Sequence, residues 1–246
     1  MKKISAILIV NILTTFRIIG VFCLLPIYLK LGGAAAACLS IACYLTDLID
    51  GLLARAWHVS TFFGSAFDGV ADKSFSVANL IVLFTITKFA IVPILFEFAI
   101  IVIQTIKYHR NENVQSSKVG KLKTWIISLT VIILYFLVDI KSLHFLPDTF
   151  VNFIISLDQI HLLGIVFIPL YVFEVLTVIS YLFFLKNIKE DKKIEYPKIE
   201  ITLKPAISLK NRFDNFCTMW LNPEFYDKYK DCAGLKEIHL SIKKNR

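Results

Sequence analysis

The sequence predicts an all-α, polytopic integral membrane protein, with six transmembrane helices followed by a polar C-terminal cytoplasmic tail. Three observations lead there. Hydrophobic residues make up 57% of the 246 residues, and the mean hydropathy is +0.68; soluble domains use about 45–50% apolar residues. Several apolar runs approach the roughly 20 helical residues that cross a hydrocarbon core of about 30 Å. Lysines and arginines gather at alternate turns between those runs. Length alone would permit one or two domains.

The six segments are Leu13–Leu31, Ala34–Leu53, Phe67–Thr87, Ile91–Ile106, Leu122–Val138 and Leu163–Leu185. Each should be a helix, because lipid cannot satisfy backbone groups. Lys2, Lys3, Arg55, Lys107, Arg110, Lys118, Lys121 and Lys123 fall at one set of loops, joined by Lys186, Lys189, Lys192 and Lys193. The opposite set holds Lys30, Lys88 and Lys141. The positive-inside rule then places both termini in the cytoplasm, which an even number of spans requires. The stretch Asp139 to His161 becomes an external connection, and its apolar middle, Phe150–Leu157, suits the interface.

Residues 1–186 thus form the membrane domain and 187–246 a basic cytoplasmic tail. The Met-Lys-Lys start resembles a signal peptide. The first apolar run, however, carries Asn11, Thr14 and Arg17 without a clear small-x-small cleavage site, and reads as a retained segment. In the tail, Trp220, Phe225, Tyr226 and Tyr229 stand among basic residues. They fit either a small amphipathic unit touching the membrane or a partly disordered basic tail. The net charge of +8 points to anionic lipid headgroups rather than nucleic acid. Cys23, Cys38, Cys43, Cys217 and Cys232 contain no CxxC pair, so neither structural zinc nor a disulfide framework is expected.

The informative stretch is Asp47-Leu-Ile-Asp50-Gly51-Leu-Leu-Ala54-Arg55, then eight residues, then Gly64-Ser-Ala-Phe-Asp68-Gly-Val-Ala-Asp72. Asp47 and Asp50 are i and i+3, and Asp68 and Asp72 are i and i+4, so each pair shares a helix face. Both pairs sit at cytoplasmic ends of neighbouring spans, where four carboxylates can converge. Such acids are disfavoured at membrane depth by about 2.5–3.5 kcal/mol each on insertion scales, and they repel one another. A bound cation removes the conflict. Oxygen ligands without Cys or His suit Mg²⁺ or Mn²⁺ rather than zinc, and two ions are a common device in phosphoryl transfer. Gly51 and Gly64 allow close approach of a substrate or backbone, and small residues here also suit plain helix packing. Arg55 can clamp a diphosphate through its planar fork. His58, His109, His144, His161 and His239 are scattered and read as interfacial.

The pattern D-x2-D-G-x2-A-R-x8-G-x3-D-x3-D resembles the defining motif of the CDP-alcohol phosphatidyltransferase family, with every motif position filled. The opening Asn11-Ile-Leu-Thr14-Thr-Phe-Arg17 is similar to the family's N-x-L-T-x-x-R. The resemblance covers roughly the first 190 residues by layout and leaves the tail outside. It implies a six-helix membrane fold and a homodimer. It implies metal binding by Asp47, Asp50, Asp68 and Asp72, with Asp72 as the general base. It also implies CDP-lipid binding by Asn11, Thr14, Gly51, Arg55, Thr61 and Gly64. The reaction implied is attack of an acceptor hydroxyl on the lipid-bearing phosphorus of CDP-diacylglycerol with loss of CMP, in the inner or plasma membrane among its phospholipids. Because every motif residue precedes the tail, the tail is expected to be dispensable for turnover.

Gly120-Lys121-Leu-Lys123-Thr124 resembles the G-K-x-K-T element of glycerophosphate-using members, which makes Lys121 and Lys123 the expected acceptor-binding residues and glycerol 3-phosphate the expected acceptor. As an alternative, these lysines are positive-inside anchors. Those members carry Arg-Glu at the start of the fourth span, another Arg two turns on, and a proline after the third acid. Here the equivalents are Phe96-Glu97, Gln104 and Gly69. The departures leave phosphatidylglycerol as a rival acceptor, which would make cardiolipin. From another class, a cation transporter would use intramembrane acids as a relay, but it has no need of Arg55 beside them.

Overall fold

Apolar runs become helices here, and most helices continue past the apolar residues that predict them. In the computed structural model, residues 3–109, 118–143, 146–187, 199–201, 203–229 and 240–242 are described. They form α1 (Lys3–Leu31), α2 (Gly33–Ala56), α3 (Phe62–Ile86), α4 (Ile91–His109), α5 (Lys118–Val138), α6 (Asp148–Ser156) and α7 (Gln159–Asn187). Short 3₁₀ turns at Lys88–Ala90 and Ile140–Ser142 lead into α4 and follow α5. All six expected segments are helical, and the apolar stretch expected at the interface is α6. Five stretches, Lys3–Leu31, Gly33–Ala56, Phe62–Ile86, Lys88–Ile106 and Ile160–Leu182, are long and apolar enough to cross a membrane. The apolar part of α5, Leu122–Val138, is shorter. The first helix starts at Lys3 rather than near Leu13, and α3 starts at Phe62 rather than Phe67. The added turns are the ones that carry Asn11 and Gly64.

Helix α1 packs on α2 and α3; α5 packs on α7, α2 and α3; α4 packs on α7 and α3. Small residues permit the close crossings. A β-carbon on Gly33 would stand 2.5 Å from the backbone oxygen of Tyr135 in α5, and one on Gly20 would stand 2.7 Å from the Cys43 sulfur. Asp139, just past α5, accepts the N–H of Ala34 at 3.1 Å and so ties the start of α2 to the end of α5. Beyond this end the core is apolar, with Leu24, Ala36, Leu80, Leu83, Leu134, Phe167 and Leu170 buried together. One buried polar link crosses it: the Ser40 hydroxyl donates to the Asn79 side-chain oxygen at 2.9 Å. Large apolar side chains such as Phe22, Leu29, Leu95, Phe98 and Ile165 stand on the outside, as contact with lipid requires.

The tail is ordered over its described part. Strands β1 (Ile199–Ile201) and β2 (Leu240–Ile242) pair in parallel, with Ile199 opposite Leu240. Between them lie α8 (Leu209–Trp220) and α9 (Pro223–Tyr229). Ser208 caps α8, its hydroxyl accepting from the Lys210 N–H at 3.3 Å. Asn222 precedes α9 and accepts from the Glu224 N–H at 2.9 Å, with Pro223 in the first helical position, where its missing donor costs nothing. Lys204 pairs with Asp214 at 2.6 Å and holds that carboxyl below its ordinary range. Two aromatic residues of the tail face the bundle: Trp220 and Phe225 pack on Phe62 at ring separations of 5.4 and 6.1 Å.

The Gly33 crossing gives a direct test of this packing. Gly33→Ala should lower the unfolding midpoint in detergent, by about 1–3 kcal/mol of stability, because the new methyl meets backbone that cannot rotate away. Gly69→Ala, whose β-carbon would meet nothing within 4 Å, should not lower it. Equal midpoints for the two variants would show that α2 and α5 are not in close contact.

Candidate functional site

Residues 57–61 are all that separates α2 from α3, so the C-terminal end of one helix lies beside the N-terminal end of the other. The connection is tight. Trp57 and Val59 donate their N–H groups back to Leu53 and Ala54 at 2.9 and 3.0 Å. His58 takes the left-handed conformation, with φ of 51°. Thr61 then caps α3, its side-chain oxygen accepting from the Gly64 N–H at 3.0 Å. A β-carbon on Gly64 would sit 2.9 Å from that Thr61 oxygen and 3.4 Å from the Asn11 side-chain oxygen. Glycine at this position therefore keeps α1 and α3 close.

Three acids meet around one arginine. Arg17 of α1 is fully buried, and its guanidinium reaches Asp47 Oδ1 at 2.8 Å, Asp50 Oδ2 at 3.0 Å and Asp68 Oδ1 at 3.1 Å. The Thr14 hydroxyl, one turn earlier, donates to the same Asp50 oxygen at 3.0 Å. Asp50 is nearly closed off, with 4% of its side chain exposed, whereas Asp47 and Asp68 retain 41% and 48%. Two acids thus present oxygens outward while Arg17 and Asp50 form the floor. Carboxylate oxygens of Asp47, Asp50 and Asp68 lie within 4.8 Å of one another. That is close to the spread of oxygens around one small ion that binds each at about 2.0–2.1 Å. The donor set and the spacing fit a hard divalent cation.

Two cavities open along α3 near this cluster, the larger reaching Asp68 and the smaller Asp72. The larger, about 490 Å³, is lined by Asn11, Thr14, Gly51, Arg55, Thr61 and Gly64 together with Asp50 and Asp68. Every residue expected to bind the nucleotide-lipid faces this one space. The smaller, about 180 Å³, is lined by Asp72, Lys73, Glu97, Gln104, Lys123 and Thr124. Asp72 is therefore set apart from the three converging acids: one helical turn beyond Asp68, it faces the smaller cavity. Lys123 also lines that cavity, and its amine bonds Glu97 at 2.6 Å and approaches the fully buried Glu174 at 3.6 Å. The side chain of Lys121 lies outside the described residues. The Lys73 amine donates to the side-chain oxygen of Gln104, one of the departures noted above.

Some of these residues were not singled out by the sequence. Arg17 was read only as the end of a motif, yet it is the hub of the acid cluster. Glu174 stood as a lone acid inside the last apolar run, and intramembrane acids are a recognised functional signal. Tyr226 lines the larger cavity, although the tail was expected to stand apart from the site. Its signal was the aromatic cluster in a basic tail, which suggested membrane contact instead.

A family model described as CDP-alcohol phosphatidyltransferase matches residues 7–183. A CDP-diacylglycerol–glycerol-3-phosphate 3-phosphatidyltransferase of Bacillus subtilis (strain 168) is 36% identical over 107 residues, covering 41% of this chain and 55% of the relative. The protein of the same name from Escherichia coli (strain K12) is 44% identical over 66 residues, covering 26% of this chain and 36% of the relative. The chain thus spans about half the length of the first of these relatives and about a third of the second.

The acid cluster predicts how Arg17 and a cation share one role. Arg17→Gln leaves three buried or half-buried carboxylates without their counter-charge, and losing one partner of a buried pair costs about 3–5 kcal/mol. The unfolding midpoint should fall sharply in EDTA and recover in large part with Mn²⁺. A drop of equal size in both conditions would show that Arg17 does not neutralise a cation site.

Proposed function

The chain belongs to the CDP-alcohol phosphatidyltransferase family, and from that premise we propose that it transfers a phosphatidyl group from CDP-diacylglycerol to glycerol 3-phosphate, releasing CMP, in phospholipid synthesis. The observation that carries this reading is the pair of cavities that meet α3 one turn apart, the larger at Asp68 and the smaller at Asp72. The larger has the volume and the polar lining for a nucleotide diphosphate, with Arg55 for its phosphates and Asn11, Thr14, Thr61 and Gly64 around the nucleoside. The smaller supplies a carboxylate, Asp72, beside Lys73 and Lys123, the groups that a small phosphorylated alcohol needs.

The chemistry is a direct displacement. The acceptor oxygen bonds to the lipid-bearing phosphorus, the bond from that phosphorus to the CMP oxygen breaks, and the hydroxyl proton passes to Asp72. Asp47, Asp50, Asp68 and Asp72 would hold one or two Mg²⁺ or Mn²⁺ ions, which when bound supply charge neutralisation to the diphosphate and the leaving CMP. Arg17 keeps the acids converged, and Thr14 orients Asp50. Arg55 adds a fixed positive charge at the mouth of the larger cavity, and Lys123 orients the acceptor from α5.

The wider setting follows from the same reading. Six helices cross the membrane, α5 with the shortest apolar stretch, and the basic turns support a cytoplasmic position for both termini and the site. Residues 1–186 form the membrane domain and 187–246 an appended cytoplasmic unit. The likeness to a family of homodimers supports a homodimer, in an inner or plasma membrane. One observation favours a second acceptor. Lys123 is already engaged by Glu97 and Glu174, which reduces the positive charge available to a phosphate dianion and suits the neutral glycerol end of phosphatidylglycerol.

Two experiments test this. Purified protein with CDP-diacylglycerol and Mg²⁺ is offered glycerol 3-phosphate, phosphatidylglycerol, inositol phosphate and serine in separate reactions, with CMP and the lipid product measured. Glycerol 3-phosphate should give the fastest release. Faster release with phosphatidylglycerol would replace it with the cardiolipin reaction, and no release with any alcohol would remove the transferase reading. Separately, Asp72→Asn should slow turnover by about 10²-fold or more, the usual contribution of a positioned base, with little change in CDP-diacylglycerol affinity. Recovery of the rate on titrating Mn²⁺ would make Asp72 a ligand rather than the base.

A further inference from the structure

The C-terminal unit lies outside the matched residues 7–183, yet it reaches the larger cavity. Its attachment is specific. Phe62, the first residue of α3, packs on Trp220 and Phe225, and Phe63 meets Phe216 edge-on at 5.7 Å. Leu221, at the corner between α8 and α9, is buried with Ala6 and Ile7 of α1 and Val59 of the α2–α3 connection. These contacts fix the start of α9 against the residues that form the cavity wall. Asn222 anchors that start from both directions, accepting from the Glu224 N–H through its side chain at 2.9 Å and from the Tyr226 N–H through its carbonyl at 3.3 Å. Phe225 is buried against Phe62, and the next residue, Tyr226, lines the cavity together with Asn11, Gly51, Arg55 and Thr61. The hydrophobic anchor and the cavity-facing ring are thus adjacent residues on one short helix.

We propose that α8–α9 forms part of the donor site and that Tyr226 is a binding residue for the nucleoside end of the donor. The inference rests on the donor being a CDP-lipid. The cavity already has a cation, Arg55, for phosphates, and hydroxyl and amide side chains for a sugar. Apart from Tyr226 the lining has apolar side chains such as Ile7, Val10 and Val59 but no aromatic ring, and an aromatic ring can stack on any base, because every base has a π-face. The phenol oxygen adds a group that can donate or accept at the rim. With Tyr226 in place the base is covered by a segment that the rest of the bundle does not encode, and Phe62 and Leu221 set the position of that segment.

The test uses the full chain in detergent. The KM for CDP-diacylglycerol, the KM for the acceptor, kcat and product inhibition by CMP are measured for the unaltered protein and for Tyr226→Ala, Tyr226→Phe and Phe213→Ala. Tyr226→Ala should raise the donor KM and weaken CMP inhibition by about tenfold each, within the range that removing an aromatic partner of a base produces. The acceptor KM and kcat should stay within about twofold, and Tyr226→Phe should recover most of the loss because it keeps the ring. Phe213→Ala, at an exposed position of α8, should behave as the unaltered protein. An unchanged donor KM and CMP inhibition in Tyr226→Ala would overturn the proposal. So would a parallel fall in thermal midpoint, kcat and both KM terms, which would make the residue structural. Absence of CMP release by the unaltered protein would instead remove the donor reading on which the proposal rests.

Discussion

Three carboxylates cannot share a small, partly dry volume unless a counter-charge is already there, and Arg17 supplies it from α1. Its guanidinium touches Asp47, Asp50 and Asp68 at 2.8–3.1 Å, so one side chain joins the first three helices at their polar ends. The planar fork matters, because a lysine could not reach acids on two different helices with separate nitrogens. The site's other features follow from that junction. With α1 drawn against α2 and α3, Asn11 comes close to Gly64, and Asn11, Thr14, Gly51 and Gly64 share the lining of a cavity that reaches Asp50 and Asp68. The same arginine allows the site to exist before any cation binds, and a cation then strengthens an arrangement the chain has already made.

The opposite half of the bundle does different work. There the helices meet through small residues and an apolar core, with Gly33 against the backbone of Tyr135 and Asp139 capping the start of α2. Close contact at that end positions α5, which carries Lys123 into the smaller cavity. The larger cavity is therefore set by α1 to α3 with Tyr226 of α9, and the smaller by α3, α4, α5 and α7, and α3 serves both. Asp68 and Asp72, one turn apart on it, divide the two. A nucleophile and an activated phosphate bound on either side would meet at that turn.

Much of this was legible in the sequence for a simple reason. A helix converts spacing into position, so i, i+3 and i, i+4 pairs of acids at adjacent helix ends could be placed without coordinates, as could the glycines and Arg55 beside them. The limits were equally physical. Polar residues inside an apolar run blur its start, which is why α1, with the mostly apolar residues 4–10 ahead of Asn11, and α3, with Phe62 and Phe63 ahead of Gly64, begin before Leu13 and Phe67. Charge spacing suggested that four acids could converge, whereas the fold gathers Asp47, Asp50 and Asp68 and has Asp72 line the neighbouring cavity. The sequence offers Lys123 as an acceptor-binding residue or a positive-inside anchor, and only the packing of α4 and α7 shows Glu97 and Glu174 taking up its charge. The tail was hardest to read, because Trp220, Phe225 and Tyr226 owe their positions to Phe62 and Val59, more than 150 residues earlier in the chain, and no local periodicity reports a contact of that range.

The measurement that bears most directly on the acid cluster is Mn²⁺ binding followed by electron paramagnetic resonance on the purified chain, in parallel with CMP release from CDP-diacylglycerol. The unaltered protein should bind Mn²⁺ and release CMP only when the ion is present, and Asp68→Asn, still folded, should lose both together. CMP release that persists undiminished in EDTA, or in folded Asp68→Asn, would contradict a metal-dependent site at Asp47, Asp50 and Asp68.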